Sequence, residues 1–373
     1  MKKVFVCLAI EERDQINGEK NAAILRAKFG KKFGKFLQFT HPANLPGEIR
    51  GKGGNITFSG KKCAEVFAKE KFDFSKILVT TLDADNCVGA DYFSQMTFAF
   101  CTAKDRARKT FQPISLLFGN FWRAPIFNRI VATTSTFWHF IEMVRPGKFG
   151  NSAAHAQPLD SLAEIGFWAT DTVTEDIRQF WRSFLHFRGN YAIVPVFAPV
   201  LADALEGKNY FSALKKQFLQ YRRWAWGISD LAFFVPRWIS NFSKMPFLKS
   251  LFRVFKWAEQ HFMWATVPIL IVLVVPFFHF TGAAEATVFG SNAFFLIRKI
   301  YQLALFWFFI AISISLFLLP RPPKIWQKFS LFGQWIFTPI ATILLGSAPV
   351  LSAQIAIAKK KREDFCVTEK FRR

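Results

Sequence analysis

Cysteine is scarce in this 373-residue sequence, and its few copies are poorly placed for metal binding. None forms a CxxC pair or a cluster with ligand spacing, so we expect no zinc site. An odd, scattered set of thiols is typical of a reducing compartment, in which stable disulfides are rare. The five are Cys7, Cys63, Cys87, Cys101 and Cys366.

Acidic residues are also few, with 26 Asp and Glu against 49 Lys and Arg, which gives a net charge of +23. Hydrophobic residues make up 51% of the chain. A soluble basic protein is rarely so apolar, so the composition indicates a membrane protein. Its positive charge suits anionic ligands and an anionic membrane surface. We expect no nucleic-acid partner for the basic stretch 26–36, because no nucleic-acid-binding module surrounds it.

No internal repeat or signal-peptide cleavage site is evident, although the start "MKKVFVCLAIEERD" imitates a signal peptide. Its apolar run is short and ends in acids, which favours a buried strand. "KILVTTLDAD" (76–85) reads as a second strand of a parallel sheet, and helical patterns alternate with these runs. Residues 1–200 are therefore expected to form an α/β domain.

The second half contains long uncharged stretches at 262–281, 300–319 and 331–358. The first two are long enough to span a bilayer. The third carries proline and glycine between basic flanks, which favours a re-entrant hairpin over a single span because both flanks then stay on the cytoplasmic side. We expect a membrane region at 261–358 and a cytoplasmic tail at 359–373. The protein is then expected to cross the inner (cytoplasmic) membrane several times, with residues 1–200 in the cytoplasm.

Two segments before the spans, 176–189 and 220–242, mix Trp and Phe with Arg. Such segments suit helices that lie in the membrane interface, and we expect interfacial helices at 201–260. For the first segment, an amphipathic helix packed on the domain is an equally good interpretation.

Three polar motifs point to chemistry. Asp83 and Asp85 of "LDAD" follow a strand, where two carboxylates can share Mg²⁺ or Mn²⁺, although a turn with solvated acids fits as well. In "TVTED", Thr174 is expected to cap a helix whose first turn carries Glu175 and Asp176, and Asp176 is a candidate general base. Helix capping alone would also explain these acids.

The third motif is "QYRRW", Gln220 to Trp224. Arg222 and Arg223 are suited to neutralising a diphosphate, and the ring of Trp224 is suited to stacking on a sugar. An interfacial Arg/Trp helix is the alternative interpretation of this motif. The order LDAD…TED…QxxRW ahead of membrane spans is much more specific than any one motif.

In this order, the chain resembles the family 2 glycosyltransferases, in particular processive membrane synthases such as cellulose and hyaluronan synthases. "GEIRGKGGN" (47–55) is similar to a segment that places Lys52 near the nucleotide. The tail "DFCVTEK" resembles a gating-loop motif with Phe365, Val367, Thr368 and Lys370. The chain departs from that family by beginning at what looks like its second strand, which is expected of a truncated, partner-completed or inactive relative.

The resemblance implies a GT-A-like nucleotide-diphospho-sugar transferase domain that takes a nucleotide sugar, most simply a UDP-sugar, with Mg²⁺ or Mn²⁺. It implies inverting transfer to a glycan or lipid-linked acceptor. In this resemblance Gln220 and Trp224 bind the acceptor, and the donor is bound by Lys52, Asp83, Asp85, Arg222 and Arg223. The expected function is polysaccharide extension. The alternatives are transfer of one sugar to a lipid or membrane acceptor and a transporter or scaffold without chemistry.

Overall fold

The structure is a computed structural model that describes residues 3–145, 150–282, 287–322 and 324–361. It is a mixed α/β protein with two separate sheets followed by long apolar helices. The strands are β1 (Phe5–Glu11), β2 (Lys35–His41), β3 (Leu78–Thr80), β4 (Cys87–Val88), β5 (Lys109–Leu116), β6 (Ala156–Pro158) and β7 (Ala192–Leu201).

The helices of the first 200 residues connect and cover these strands. They are α1 (Gln15–Phe29), α2 (Lys52–Lys69), α3 (Tyr92–Thr102), α4 (Ile126–Met143), α5 (Leu159–Ile165) and α6 (Glu175–His186). α5 ends at Gly166, whose φ of 82° supplies the left-handed residue that commonly closes a helix. Alternation of strands and helices is what the sequence predicts for this part of the chain.

The sheet topology differs from the expected single parallel sheet. β1 and β2 form a parallel pair of their own. The other five strands have the order β3-β6-β5-β7-β4, in which only the β5–β7 pair is parallel. β3, which leads into the LDAD motif, is antiparallel to β6. The prediction of a parallel partner for β3 was wrong, because its neighbour β6 arrives through a short segment after α4 rather than through a crossover helix.

The segment 176–189 lies in the protein core. α6 buries Phe180, Trp181 and Phe184 against Phe234 and Trp257 in the largest aromatic cluster of the described residues. This packing matches the second interpretation of that segment, an amphipathic helix docked on the domain. An apolar stripe of Phe and Trp suits a protein core and a membrane interface equally, so the pattern alone cannot separate them.

The remaining helices are mostly apolar. They are α7 (Tyr210–Ala225), α8 (Asp230–Ser240), α9 (Phe247–Ile269), α10 (Val275–Thr281), α11 (Val288–Leu318), α12 (Trp326–Gln334), α13 (Thr338–Ala341) and α14 (Ala348–Ala358). Asn209 and Ser212 form a capping box at the start of α7. Three helical stretches are long and apolar enough to cross a membrane: Phe247–Phe278, Gly290–Ile314 and Phe329–Ala358.

The third of these stretches corrects an expectation. The hairpin predicted within 331–358 is absent, since all of these residues are described and they follow one helical path. Pro339 and Gly346 are accommodated by a 3₁₀ turn at Trp335–Phe337 and a π-helical turn at Thr342–Ser347. Of the residues in the most apolar part of this stretch, 44% are buried within the protein, compared with 6% in Gly290–Ile314.

Candidate active site

A single large cavity of about 2480 Å³ joins the motifs that lie far apart in sequence. It begins between β1 and β3, passes the ends of those strands, and continues between α6 and α7 toward the apolar helices. Its lining also includes Trp264 and Pro268 on α9 and Gly346 on the last apolar stretch. The predicted residues that line it are Lys52, Asp83, Asp85, Glu175, Asp176, Gln220, Arg223 and Trp224.

Asp83 is held by a lysine and by a turn. The Nζ of Lys52 lies 2.5 Å from Oδ1 of Asp83. The backbone N–H of Asp83 donates to the side chain of Asn86, and the N–H of Asn86 donates back to the carbonyl of Asp83. This reciprocal turn directs the chain away from strand geometry directly after β3, and it leaves the Asp83 side chain 37% exposed.

Asp85 has a different environment from Asp83. Its side chain is buried, and Oδ2 accepts a hydrogen bond from the backbone N–H of Asp203, 3.1 Å away. Asp203 follows β7, and β7 pairs with the short strand β4 that continues from the LDAD turn. The two motif aspartates therefore reach the cavity from different supports, one tied to α2 and one to the end of β7.

Glycines allow α2 to approach the acidic helix closely. A Cβ at Gly53 would lie 2.2 Å from the carbonyl oxygen of Ala169 and 3.1 Å from the Cβ of Glu175. A Cβ at Gly54 would lie 2.7 Å from the carboxylate of Glu48. The Glu48 side chain can move away from Gly54, but the backbone at Ala169 cannot, so Gly53 is the position that requires glycine for α2, with Lys52 at its start, to lie this close to Glu175.

Glu175 and Asp176 form the acidic first turn of α6, as the sequence predicts. Burial raises the pKa of Glu175 to about 7, with a further contribution from the charge of Asp176. Burial also raises the pKa of Asp176, while a hydrogen bond from the N–H of Ile177 and the positive charges of Lys52 and Arg223 oppose that rise. Burial would lower the pKa of Lys52, but Asp83, Glu175 and Asp176 together raise it.

Thr174 occupies the position before α6, but its side chain does not cap the helix. The hydroxyls of Thr172 and Thr174 instead lie 3.1 Å apart, and the backbone N–H of Thr174 donates to Thr172. The expected side-chain cap was wrong because the neighbouring threonine provides a closer partner. The carboxylates of the first turn remain available to the cavity.

A buried ion pair fixes α6 against α8. The Nε of Arg178 lies 2.5 Å from Oδ1 of Asp230, and both residues are buried. Burial raises the pKa of Asp230 to about 7, although Arg178 counteracts this. Arg178 is two residues after Asp176, so this pair sets the rotation of the helix that presents the acids.

α7 supplies the QYRRW motif. Gln220, Arg223 and Trp224 line the cavity, whereas Arg222 is not among the lining residues. Between them, Tyr221 is buried, and its hydroxyl lies 2.6 Å from that of Ser135 on α4. The ring centroid of Tyr221 lies 5.1 Å from that of Trp224. Positions three and four apart share a helix face, which explains why Arg222 points elsewhere.

Asp203 and Asn151 are two polar cavity residues that the sequence-based predictions did not include. Asp203 is described above. Asn151 is only 2% exposed, lines the cavity, and has no hydrogen-bond partner for either side-chain polar atom among the described residues. A buried amide of this kind is rare and calls for a ligand or water partner. The sequence around it, "GNSAAHAQ", carries no periodicity that would have identified it.

Among the described residues there is no group of three or more His, Cys, Asp and Glu side chains arranged to hold a metal ion. Asp83 and Asp85 supply two carboxylates to one cavity. Magnesium is commonly held by one or two carboxylates, with substrate phosphates completing its shell, so these residues fit a cation that is bound together with a diphosphate. The tail residues Phe365, Val367, Thr368 and Lys370 lie outside the described residues.

The fold and the cavity define a mixed α/β protein with membrane-type helices and an acidic ligand site in which Lys52 and Arg223 are the cations from the sequence motifs. No protein-family model matches the chain, and no curated protein matches it. Among solved structures it is similar to the mannosyltransferase PcManGT from Pyrobaculum calidifontis, in complex with GDP-Man and Mn2+. The superposition covers 96% of this chain and 78% of that chain, with 11% identity and a TM-score of 0.43. A likeness at this level does not establish shared function.

Proposed function

We propose that this protein is a membrane-bound glycosyltransferase that transfers a hexosyl group from a nucleotide-diphospho-sugar, with inversion, to extend a polysaccharide. One observation carries the proposal: Lys52, Asp83, Glu175, Asp176 and Arg223 line the same cavity, although 171 positions separate the first from the last. Convergence of this set is expected of a site for an anionic donor and a proton-accepting carboxylate.

Lys52 and Arg223 are the cations suited to the donor diphosphate. The ammonium of Lys52 already lies on Asp83, so a phosphate oxygen near that pair replaces or shares the carboxylate contact. As the bond between the anomeric carbon and the diphosphate oxygen breaks, negative charge grows on the departing nucleotide, and these side chains stabilise it. Mg²⁺ or Mn²⁺, when held by Asp83 and Asp85, would add positive charge at the same oxygens.

Asp176 is the proposed general base. It lines the cavity at the positive end of α6 and is more exposed than Glu175. A carboxylate with a raised pKa accepts a proton more readily than an ordinary one, which suits removal of a proton from an acceptor hydroxyl as it attacks. Glu175, packed against Gly53, is proposed to orient Lys52 and to modulate the charge of Asp176.

The acceptor is proposed to lie along the inner part of the cavity. Trp224 offers a ring for a sugar face, and Gln220 and Asn151 offer hydrogen bonds to hydroxyls. Beyond them the wall is formed by apolar helices, including Trp264 and Gly346. A path of this kind suits a growing glycan that leaves along the helices, and it equally suits the chain of a lipid acceptor, which makes single-sugar transfer to a lipid the second candidate.

The test uses the full chain in lipid nanodiscs with radiolabelled UDP-glucose, UDP-N-acetylglucosamine or GDP-mannose and Mg²⁺ or Mn²⁺. Long labelled products support polysaccharide extension, and lipid-soluble products with one sugar support the second candidate. Failure of every donor to be transferred, hydrolysed or bound contradicts the proposal.

Asp176→Asn tests the role of the base. We expect transfer to fall by about a hundredfold or more, because general-base catalysis of this kind contributes at least that factor, while nucleotide binding is retained. The control is Asp105→Asn, an exposed carboxylate in the turn before β5 that does not line the cavity, and its removal should leave transfer nearly unchanged. Equal loss in both variants, or loss of nucleotide binding in Asp176→Asn, contradicts the assignment.

A further inference from the structure

Two cysteines, Cys7 on β1 and Cys63 on α2, meet at the wall of the cavity. Both carry free thiols that are half-buried, and both line the cavity. They stand 56 positions apart in the sequence, and neither belongs to a motif of the candidate active site. Partly exposed thiols are open to chemical modification, whereas fully buried ones are inert.

The face of β1 that carries Cys7 packs on α2. Side chains alternate between the two faces of a strand, so even-numbered and odd-numbered residues point in opposite directions. Ile10 points toward α1, since a Cβ at Gly18 would lie 2.5 Å from its side chain. Phe5 points toward α2, where its ring centroid lies 5.5 Å from that of Phe67. Cys7 shares the face of Phe5 and therefore also points toward α2.

The helix face that receives these side chains includes Cys63. One ridge of α2 lines the cavity with residues spaced four apart, namely Asn55, Ser59, Cys63 and Phe67. At one end of this ridge is the ring contact with Phe5, and at the other the side chain of Asn55 donates to the carbonyl of Ala9, 3.1 Å away. The strand and the helix therefore run in opposite directions, and the two cysteines lie between these two contacts.

The thiols of Cys7 and Cys63 are hydrogen-bond partners. This bond raises the pKa of Cys7, and burial and the charge of Cys63 raise it further. The same bond lowers the pKa of Cys63, against the opposing effect of burial. Cys7 is thus the donor and Cys63 the acceptor. Because the thiolate is the nucleophilic form of cysteine, Cys63 is suited to attack and Cys7 is suited to hold the proton.

We propose that Cys7 and Cys63 form a dithiol site that a small-molecule disulfide oxidises to a covalent bond between β1 and α2. The packing of the strand on the helix brings two accessible sulfurs together, which is the arrangement that a reversible disulfide needs. The cavity admits the reagent, because its volume is about 2480 Å³ and both cysteines belong to its lining. The site does not depend on the proposed function.

The oxidation takes place in two exchanges. The thiolate of Cys63 attacks one sulfur of the reagent, the S–S bond of the reagent breaks, and its first half leaves as a thiolate that takes the proton of Cys7. The thiolate of Cys7 then attacks the sulfur of Cys63, and the second half of the reagent leaves and takes a proton from water. The two cysteines lose two electrons, and the two sulfurs of the reagent gain them.

The disulfide would fasten the β1–β2 pair to the helix that begins at Lys52. Lys52 stands eleven positions before Cys63 and binds Asp83, which follows β3. The crosslink would thus hold one side of the candidate active site in place. In a reducing compartment such a bond forms reversibly, when small-molecule disulfides accumulate.

The test uses the full chain in nanodiscs, reduced first and then incubated with oxidised glutathione, without donor or metal. Remaining thiols are blocked with N-ethylmaleimide, the chain is digested without reduction, and mass spectrometry follows each cysteine. We expect most molecules to contain a Cys7–Cys63 disulfide, because an exchange within the chain is faster than a second exchange with the reagent. Cys87 and Cys101 are exposed and serve as internal references, on which we expect only glutathione adducts.

Two variants keep the outcome interpretable. Cys7→Ser leaves Cys63 without a partner for the second exchange, so we expect a stable glutathione adduct on Cys63. The matched control combines Cys63→Ser with Lys61→Cys, which keeps the number of thiols but moves one to an exposed position on the opposite side of α2. Its yield of disulfide with Cys7 should be at least about tenfold lower than that of the parent. Hydrogen exchange over β7 should be the same in all three proteins, which verifies that the variants fold.

Three results would overturn the inference. They are the absence of a Cys7–Cys63 disulfide while Cys87 and Cys101 form adducts, a stable glutathione adduct on Cys63 in the parent, and a disulfide yield in the matched control equal to that of the parent. The first two are read from the parent alone. None of these readouts involves sugar transfer, so failure here leaves the proposed function untouched, and failure of transfer leaves this inference untouched.

Discussion

The buried carboxylate of Glu175 should make the protein less stable as the pH rises from about 4.5 to about 7. Its pKa is raised from 4.5 to about 7 in the folded state, because burial and Asp176 disfavour its charged form. Below this window both states carry the proton. Within it, the unfolded chain releases the proton while the folded chain keeps it, so unfolding becomes more favourable with increasing pH. Above it, the full penalty of about 3 kcal/mol applies.

Glu175→Gln removes this penalty, since the amide has nearly the same shape and cannot ionise. We expect the variant to match the parent near pH 4.5 and to exceed its free energy of unfolding by up to about 3 kcal/mol at pH 8. The measurement is denaturant unfolding in detergent with EDTA at several pH values. Glu19→Gln, at an exposed position, controls for the loss of one negative charge. Parallel curves for Glu175→Gln and the parent would refute the reasoning.

Three further predictions concern the supports of the site. Arg178→Leu should lower the free energy of unfolding by about 3–5 kcal/mol, because Asp230 stays buried without its partner, whereas the double variant with Asp230→Leu should recover most of that loss in a denaturant series. Gly53→Ala should reduce transfer more than tenfold through its clash with the carbonyl of Ala169, and Gly333→Ala, with nothing within 4 Å, should not. Asn151→Ala should raise the free energy of unfolding by about 1 kcal/mol, since it removes a buried amide that has no hydrogen-bond partner among the described residues, and should weaken ligand binding in calorimetry. Unchanged binding would contradict the role given to Asn151.

Local patterns predicted the pieces of the site well. The strand at Phe5–Glu11, the turn after β3 and the start of α6 at Glu175 all lie where the sequence indicates. Each depends on short-range rules: an apolar run, a turn rich in Asp and Asn, and acids in a first helical turn. The sequence analysis expected Arg222 as well as Arg223 on the donor, but only Arg223 lines the cavity, because positions 220, 223 and 224 share a helix face that position 222 does not.

Long-range pairings could not be obtained in this way. The hydrogen bond between Asp85 and the backbone of Asp203 joins residues 118 positions apart, and the Arg178–Asp230 pair joins residues 52 positions apart. The antiparallel pairing of β3 with β6 likewise joins strands from different segments of the chain. No periodicity connects such residues, because their contact depends on the whole topology. The continuous helix through 331–358 escaped prediction for another reason: Pro339 and Gly346 weaken a helix, but packing against neighbouring helices offsets that weakness.

The charge of the cavity explains why a lysine, Lys52, and a glycine that allows close packing, Gly53, occur side by side in the sequence. Four motif acids line the cavity, Asp83, Asp85, Glu175 and Asp176, whereas two motif cations do so, Lys52 and Arg223, even though the whole chain carries +23. An anionic diphosphate would be repelled from such a site unless a cation accompanies it or the acids take up protons. The raised pKa of Glu175 supplies part of that relief, and the close approach that Gly53 allows supplies more, because it brings the ammonium of Lys52 among the carboxylates. Such an arrangement would favour an anion that is accompanied by a cation, which agrees with the proposed role of Mg²⁺ or Mn²⁺ at Asp83 and Asp85.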